Sequence, residues 1–151
     1  MNNFTANPHL HPQTPLITER AAAGFPSPAA DYRVERIDLN HYLMPHPAAS
    51  FLLWVSGDSM KDAGILDGDL LVVDRSVTPT HGQVVVAVLD GGLVLKRLER
   101  RGKDWWLASA NRNYPDFIIN ELCETTIWGV AIHAIHFLNG QNHRNPPSQK
   151  G

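Results

Sequence analysis

Between residues 50 and 137 the chain is a succession of short apolar runs, each closed by glycine, proline or aspartate. Residues 50–56 read as a strand. Residues 69–74 form another, apolar through its middle and so covered on both faces or set inside a barrel-like core. A turn at residues 79–82 precedes a third strand at 83–89. Asp90-Gly91-Gly92 then supplies a hairpin turn with the glycines that positive φ requires. Residues 93–98 return antiparallel, residues 105–109 and 117–119 add two more strands, and residues 126–137 close the set. Short strands at regular spacing predict a mainly β fold of folded-over antiparallel sheets with little helix.

The flanks differ. Residues 1–30 carry Pro8, Pro12, Pro15, Pro26 and Pro28 among Asn, His, Thr and Ala. Proline supplies no ladder donor and blocks helix interiors, so a flexible N-terminal arm is predicted, with at most one helical turn at residues 18–23. Such an arm cannot hold a helix-turn-helix, which needs two packed helices. A single β domain over 31–138 and a disordered polar tail over 139–151 complete the expected organisation. A chain of 151 residues buries roughly 68–70% of its unfolded surface, enough to fold without a disulfide or a metal. Cys123 is the one cysteine, read as a small apolar residue, and it excludes an intrachain disulfide. The net charge of −2 argues against a broad nucleic-acid footprint, and the basic stretch at residues 96–103 is broken by Glu99. It reads as a strand end and turn. No apolar run approaches a membrane span and no signal peptide is evident, so a cytoplasmic protein is expected.

Three features carry chemistry. Val55-Ser56-Gly57-Asp58-Ser59-Met60 follows a strand directly, so Ser59 can project its hydroxyl from a sheet end. The same composition is that of an ordinary turn. Lys96 lies where alternation places Val94, Lys96 and Leu98 on one face. If that face is the core, burial disfavours the ammonium, and a neutral amine can take a proton from a serine. Alternatively the lysine reaches water from a strand edge. Ala23-Gly24 lies between small residues that let an extended backbone enter a narrow cleft, or it is a plain linker. Metal sites are not expected. His9 and His11 lie in the arm, and His133 and His136 are three apart on a predicted strand, without a matching ligand set. Asp58, Asp67, Asp69 and Asp74 read as turn formers and strand-end charges. The four tryptophans, at 54, 105, 106 and 128, read as core or dimer surface.

Several blocks together resemble the UmuD family. They are Gly24-Phe25-Pro26-Ser27-Pro28-Ala29-Ala30-Asp31-Tyr32, Arg36-Ile37-Asp38-Leu39-Asn40, Ser56-Gly57-Asp58-Ser59-Met60, Asp67-Gly68-Asp69-Leu70-Leu71-Val72-Val73-Asp74, and Lys96. UmuD proteins are the self-cleaving subunits of error-prone DNA polymerase V and are related to the protease half of LexA repressors. The resemblance runs in register from Gly24 to about Phe137. It implies a LexA/UmuD-like peptidase fold, Ser59 as nucleophile, Lys96 as general base and Ala23-Gly24 as the bond cut. The backbone N–H groups of Ser59 and Met60 are the expected oxyanion donors. It also implies a homodimer, cleavage provoked by a RecA–DNA filament, and service to a UmuC-type Y-family polymerase in translesion synthesis. No cofactor and no sequence-specific DNA contact are expected. Two other readings remain: a non-cleaving interaction module for a polymerase or filament, and a signal-peptidase-like enzyme acting in trans, which the lack of a membrane anchor disfavours.

Overall fold

A computed structural model describes residues 12–26, 32–120 and 125–139, and it divides the chain into two compact units, residues 1–45 and 46–151. The readings of residues 1–11, with His9 and His11, of 27–31, of Cys123 and of the tail beyond Asn139 lie outside the described residues.

In the first unit, β1 (Gln13–Ile17) pairs antiparallel with β2 (Val34–Asp38). Neither strand was expected from the sequence, and the helical turn expected at residues 18–23 is absent. Pro15 stands opposite Arg36 within this ribbon. A two-stranded ribbon has only edge strands, so a residue without an N–H can face outward there at no cost in ladder bonds. The ribbon continues through Thr18, whose N–H donates to Arg33 O at 3.0 Å, and Glu19 accepts from the Arg33 N–H at 3.1 Å. Asp38 then caps α1 (Leu39–Leu43), its carboxylate accepting from the His41 N–H at 3.2 Å. Ala23 and Gly24 lie in an exposed bend of this unit, next to Phe25 at 93% exposure.

The second unit is one seven-stranded antiparallel sheet. Its strands are β3 (Ser50–Trp54), β4 (Leu70–Asp74), β5 (Val84–Leu89), β6 (Gly92–Arg101), β7 (Asp104–Ala108), β8 (Phe117–Ile119) and β9 (Thr125–Ile135). The spatial order is β3-β4-β9-β5-β6-β7-β8, so the last strand inserts between β4 and β5. Register shifts at Val72/Val73 and at Val86/Ala87 bend the ladder on both sides of β9. The β5–β6 turn has φ of 48° at Asp90 and 82° at Gly91, the pair of positive angles of a type I′ hairpin. Alternate residues feed two core clusters. One gathers Met60, Ile65, Leu71, Val73, Val86 and Ala110, and the other Val85, Ala87, Leu98, Leu107 and Val130. β4 is therefore buried on both faces, with Leu71, Val72 and Val73 all at 1% exposure or less, as its unbroken apolar run implies. Trp128 packs on the first cluster and Trp105 on the second.

Two aspartates at the ends of β4 are far more buried than strand-end charges usually are. Asp69 and Asp74 are each 1% exposed. Asp69 accepts from the Leu66 N–H at 2.9 Å and pairs with His136 Nδ1 at 2.7 Å. Asp74 accepts from the Ser76 hydroxyl at 2.6 Å, from the Ser76 N–H at 2.8 Å and from His46 Nδ1 at 2.7 Å. The Ser76 hydroxyl first, and then His46, hold its carboxyl at about 2 rather than 3.8. A depressed carboxylate stabilises the fold above its unfolded value and loses that contribution as pH falls through the folded one. Asp74→Asn is therefore expected to be less stable at neutral pH and to show a flatter stability profile between pH 3.8 and about 2. Urea unfolding across that range is the check, and parallel profiles for the two proteins would count against it.

Candidate active site

Ser59 sits on the loop between β3 and β4, which is closed at its base. The Val55 N–H donates to Asp69 O at 2.8 Å and the Gly68 N–H donates to Val55 O at 2.9 Å. Gly57 has a φ of 88°, in the left-handed region, and its N–H donates to the Asp67 carboxylate at 2.8 Å. Beyond it, Met60 is 2% exposed in the first core cluster, and its carbonyl accepts from the Ala63 N–H at 3.0 Å. A residue between a pinned glycine and a buried methionine has little freedom to move. Among the described residues, no hydrogen bond takes up the backbone N–H of Ser59 or of Met60.

A second segment, just after β7, grips the same loop. The Asn111 side-chain amide donates to Asp58 O at 2.9 Å, the Asp62 N–H donates to Ala110 O at 2.8 Å, and the Tyr114 hydroxyl donates to the Asp58 carboxylate at 2.6 Å. Asn111 is only 4% exposed, so this tie is sheltered from water. Donation to Asp58, with the negative charge it carries, raises the Tyr114 phenol above its ordinary range and keeps it a donor into alkaline pH.

Lys96 enters from β6. It and Leu98 are buried, at 6% and 3% exposure, as alternation along the strand predicts. Its ammonium donates to the Ser109 hydroxyl oxygen at 2.7 Å and lies 5.8 Å from the ring centres of Tyr114 and of Phe117. Burial lowers the Lys96 pKa from 10.5, and the negative charge of Asp116 partly opposes that shift. Asp116 is itself turned toward Arg101, whose guanidinium donates to it at 2.7 Å. Its other oxygen accepts from the Ser109 N–H at 2.9 Å. Desolvation works against the Asp116 charge, but the Arg101 and Ser109 hydrogen bonds outweigh it and leave the carboxyl below its usual range.

Ser59, Met60, Lys96, Tyr114, Gly57 and Val94 line one cavity of about 180 Å³. Ser59 and Lys96, 37 residues apart in sequence, are thus brought to a common chamber. A hydroxyl and a buried amine in one chamber can do acyl-transfer chemistry, with the amine as base. The sequence reading missed Ser109, Asn111, Tyr114 and Asp116. They follow β7 in a stretch without periodicity, and each acts on residues far away in the chain.

The Peptidase S24-like family model matches residues 15–132. Protein ImpA of Salmonella typhimurium is 44% identical over 122 residues, which span 81% of this chain and 83% of ImpA. Protein MucA of Escherichia coli is 43% identical over 122 residues, 80% of this chain and 83% of MucA. Protein SamA of Salmonella typhimurium is 46% identical over 122 residues, 81% of this chain and 84% of SamA. No helix among the described residues is long and apolar enough to cross a membrane. With its β sheet, its serine loop and these relatives, the chain belongs to the Peptidase S24-like family of serine peptidases, as one of the UmuD-like members that serve SOS mutagenesis.

Proposed function

We propose that this chain cuts itself between Ala23 and Gly24, with Ser59 as nucleophile and Lys96 as general base. The observation that carries the reading is a lysine only 6% exposed that lines the same cavity as Ser59. The neutral Lys96 amine takes the Ser59 proton as Oγ attacks the Ala23 carbonyl carbon. The oxyanion that forms is held by the N–H groups of Ser59 and Met60. The Ala23–Gly24 C–N bond then breaks, and the Lys96 ammonium returns its proton to the departing Gly24 amine. Water attacks the Ala23 ester with Lys96 again as base, which frees Ser59 and leaves a carboxylate on Ala23. A weak base suffices because the bond is tethered, and well-oriented intramolecular reactions reach effective molarities of about 10⁵–10⁸ M.

The regulation follows from the tether. The uncut state persists while the arm is out of the cleft or Lys96 is charged. A RecA–DNA filament that binds the docked arm more tightly raises the rate by shifting that population. The trimmed chain, as a homodimer in the cytoplasm, then serves a UmuC-type Y-family polymerase in translesion synthesis. Intact mass before and after incubation with activated RecA filaments tests the whole scheme. Loss of the first 23 residues is the expected result. An unchanged mass, together with retained mutagenesis activity, would favour a docking module that never cleaves.

A further inference from the structure

Ser109 lies outside every motif singled out in the sequence, yet it is the side chain that meets the buried amine. The Lys96 ammonium donates to Ser109 Oγ at 2.7 Å, and the Ser109 hydroxyl donates to Pro115 O at 3.1 Å. These two bonds have a direction. A hydroxyl has one proton and two lone pairs. With its proton committed to the Pro115 carbonyl, Ser109 can only accept from Lys96. Were that proton free, it could instead point at the neutral amine and occupy the lone pair that catalysis needs.

We infer that Ser109 is a positioning residue for Lys96: by accepting one amine N–H while its own proton is held by Pro115, it keeps the amine's lone pair free for Ser59. This rests on the proposed Ser59–Lys96 chemistry and adds a third side chain to it. The surroundings fix Ser109 as firmly as it fixes the lysine. Its N–H is bound to Asp116 at 2.9 Å, and Asp116 is held by Arg101. The charged and titratable groups around Lys96 are Asp116 with its partner Arg101, and Tyr114 with its partner Asp58. From β5 the residue paired with Lys96 is the apolar Val85. Ser109 carries no charge, so it acts through geometry and through one accepted hydrogen bond.

That bond is stronger to an ammonium than to a neutral amine. Its loss therefore lowers the pKa of Lys96 while leaving the amine misdirected. A misplacement of about 1 Å at a reacting group can cost on the order of 100-fold. The test is self-cleavage of the full chain without any partner, followed from neutral to alkaline pH, in wild type, Ser109→Ala and Ser109→Thr. Ser109→Ala is expected to reach a plateau roughly 10- to 100-fold lower, with the bend of the profile moved to lower pH. Ser109→Thr, which keeps the hydroxyl, is expected to restore both. If Ser109→Ala does not fold by thermal melting, Ser109→Cys replaces it, being similar in size and a weaker acceptor, with the same expected drop. Carbon-13 titration of the Lys96 Cε in a Ser59→Ala background reads the pKa change without turnover. A wild-type plateau and bend in Ser109→Ala, or a loss that Thr does not rescue, overturns the inference. Fragment release from Ser59→Ala or Lys96→Ala controls would instead sink the underlying dyad reading, whatever Ser109 does.

Discussion

Ser59→Ala and Lys96→Ala are each expected to abolish the fragment that begins at Gly24, even after prolonged incubation at alkaline pH. In the proposed mechanism, removing Ser59 removes the atom that forms the new bond. Removing Lys96 removes the proposed general base, a role whose contribution is typically about 10²–10⁴-fold, and leaves no other amine described in that cavity. Alkaline pH is the stringent condition because it populates the neutral amine without any partner. Below the lowered pKa of Lys96, the neutral fraction, and with it the cleavage rate, should rise about tenfold per pH unit. The same shift has a consequence for stability. Lysine with a folded pKa below its unfolded value penalises the fold at lower pH, and the penalty is relieved as pH rises from the folded value toward 10.5. Lys96→Met, close in length and uncharged, should therefore melt higher than wild type at neutral pH while cleaving nothing. Persistent release of the Gly24 fragment from either alanine variant, read by mass, would remove the replaced residue from the chemistry and with it the proposed dyad.

Gly129→Ala is expected to give the largest loss of stability. A β-carbon at Gly129 would lie 2.7 Å from Val73 Cγ1, 3.3 Å from Arg75 Cγ and 3.5 Å from Asp74 O. Val73 is fully buried in the first core cluster and cannot swing away into solvent. Overpacking of this kind costs about 1–3 kcal/mol, and the shift falls on β9, the strand that holds β4 and β5 together. Arg75 is also engaged there, its guanidinium donating to Trp128 O at 2.9 Å while stacked 4.7 Å from the Trp128 ring centre. Because Met60 belongs to the same cluster as Val73, the serine loop should loosen as well, and self-cleavage should slow along with the fall in the urea midpoint. A midpoint equal to wild type would show that β9 tolerates the methyl by moving.

The β sheet was largely legible because period-2 alternation and turn residues are local signals. The strands at residues 83–89 and 93–98, the turn between them and the buried face of Lys96 follow from neighbours a few residues apart. The cap at Asp38 is equally local, its carboxylate bonding the N–H of a residue three positions on. The ribbon of β1 and β2 was not. Its strands are almost wholly exposed, so no apolar pattern marks them, and Pro15 argues against a strand until its partner is known. The depth of Asp69 and Asp74 was hidden too, because their histidine partners lie 67 and 28 residues away.

The order of residues along β6 by itself determined that Lys96 turns the same way as Leu98, and Gly57, two residues before Ser59, determined that a tight loop follows β3. Only the tertiary structure decided that these two places share a chamber, that Asp58 is clasped by Asn111 and Tyr114, and that Ser109 meets the amine. The physical reason is separation: side-chain hydrogen bonds reach about 3 Å through space whatever the distance along the chain, so no local pattern records them.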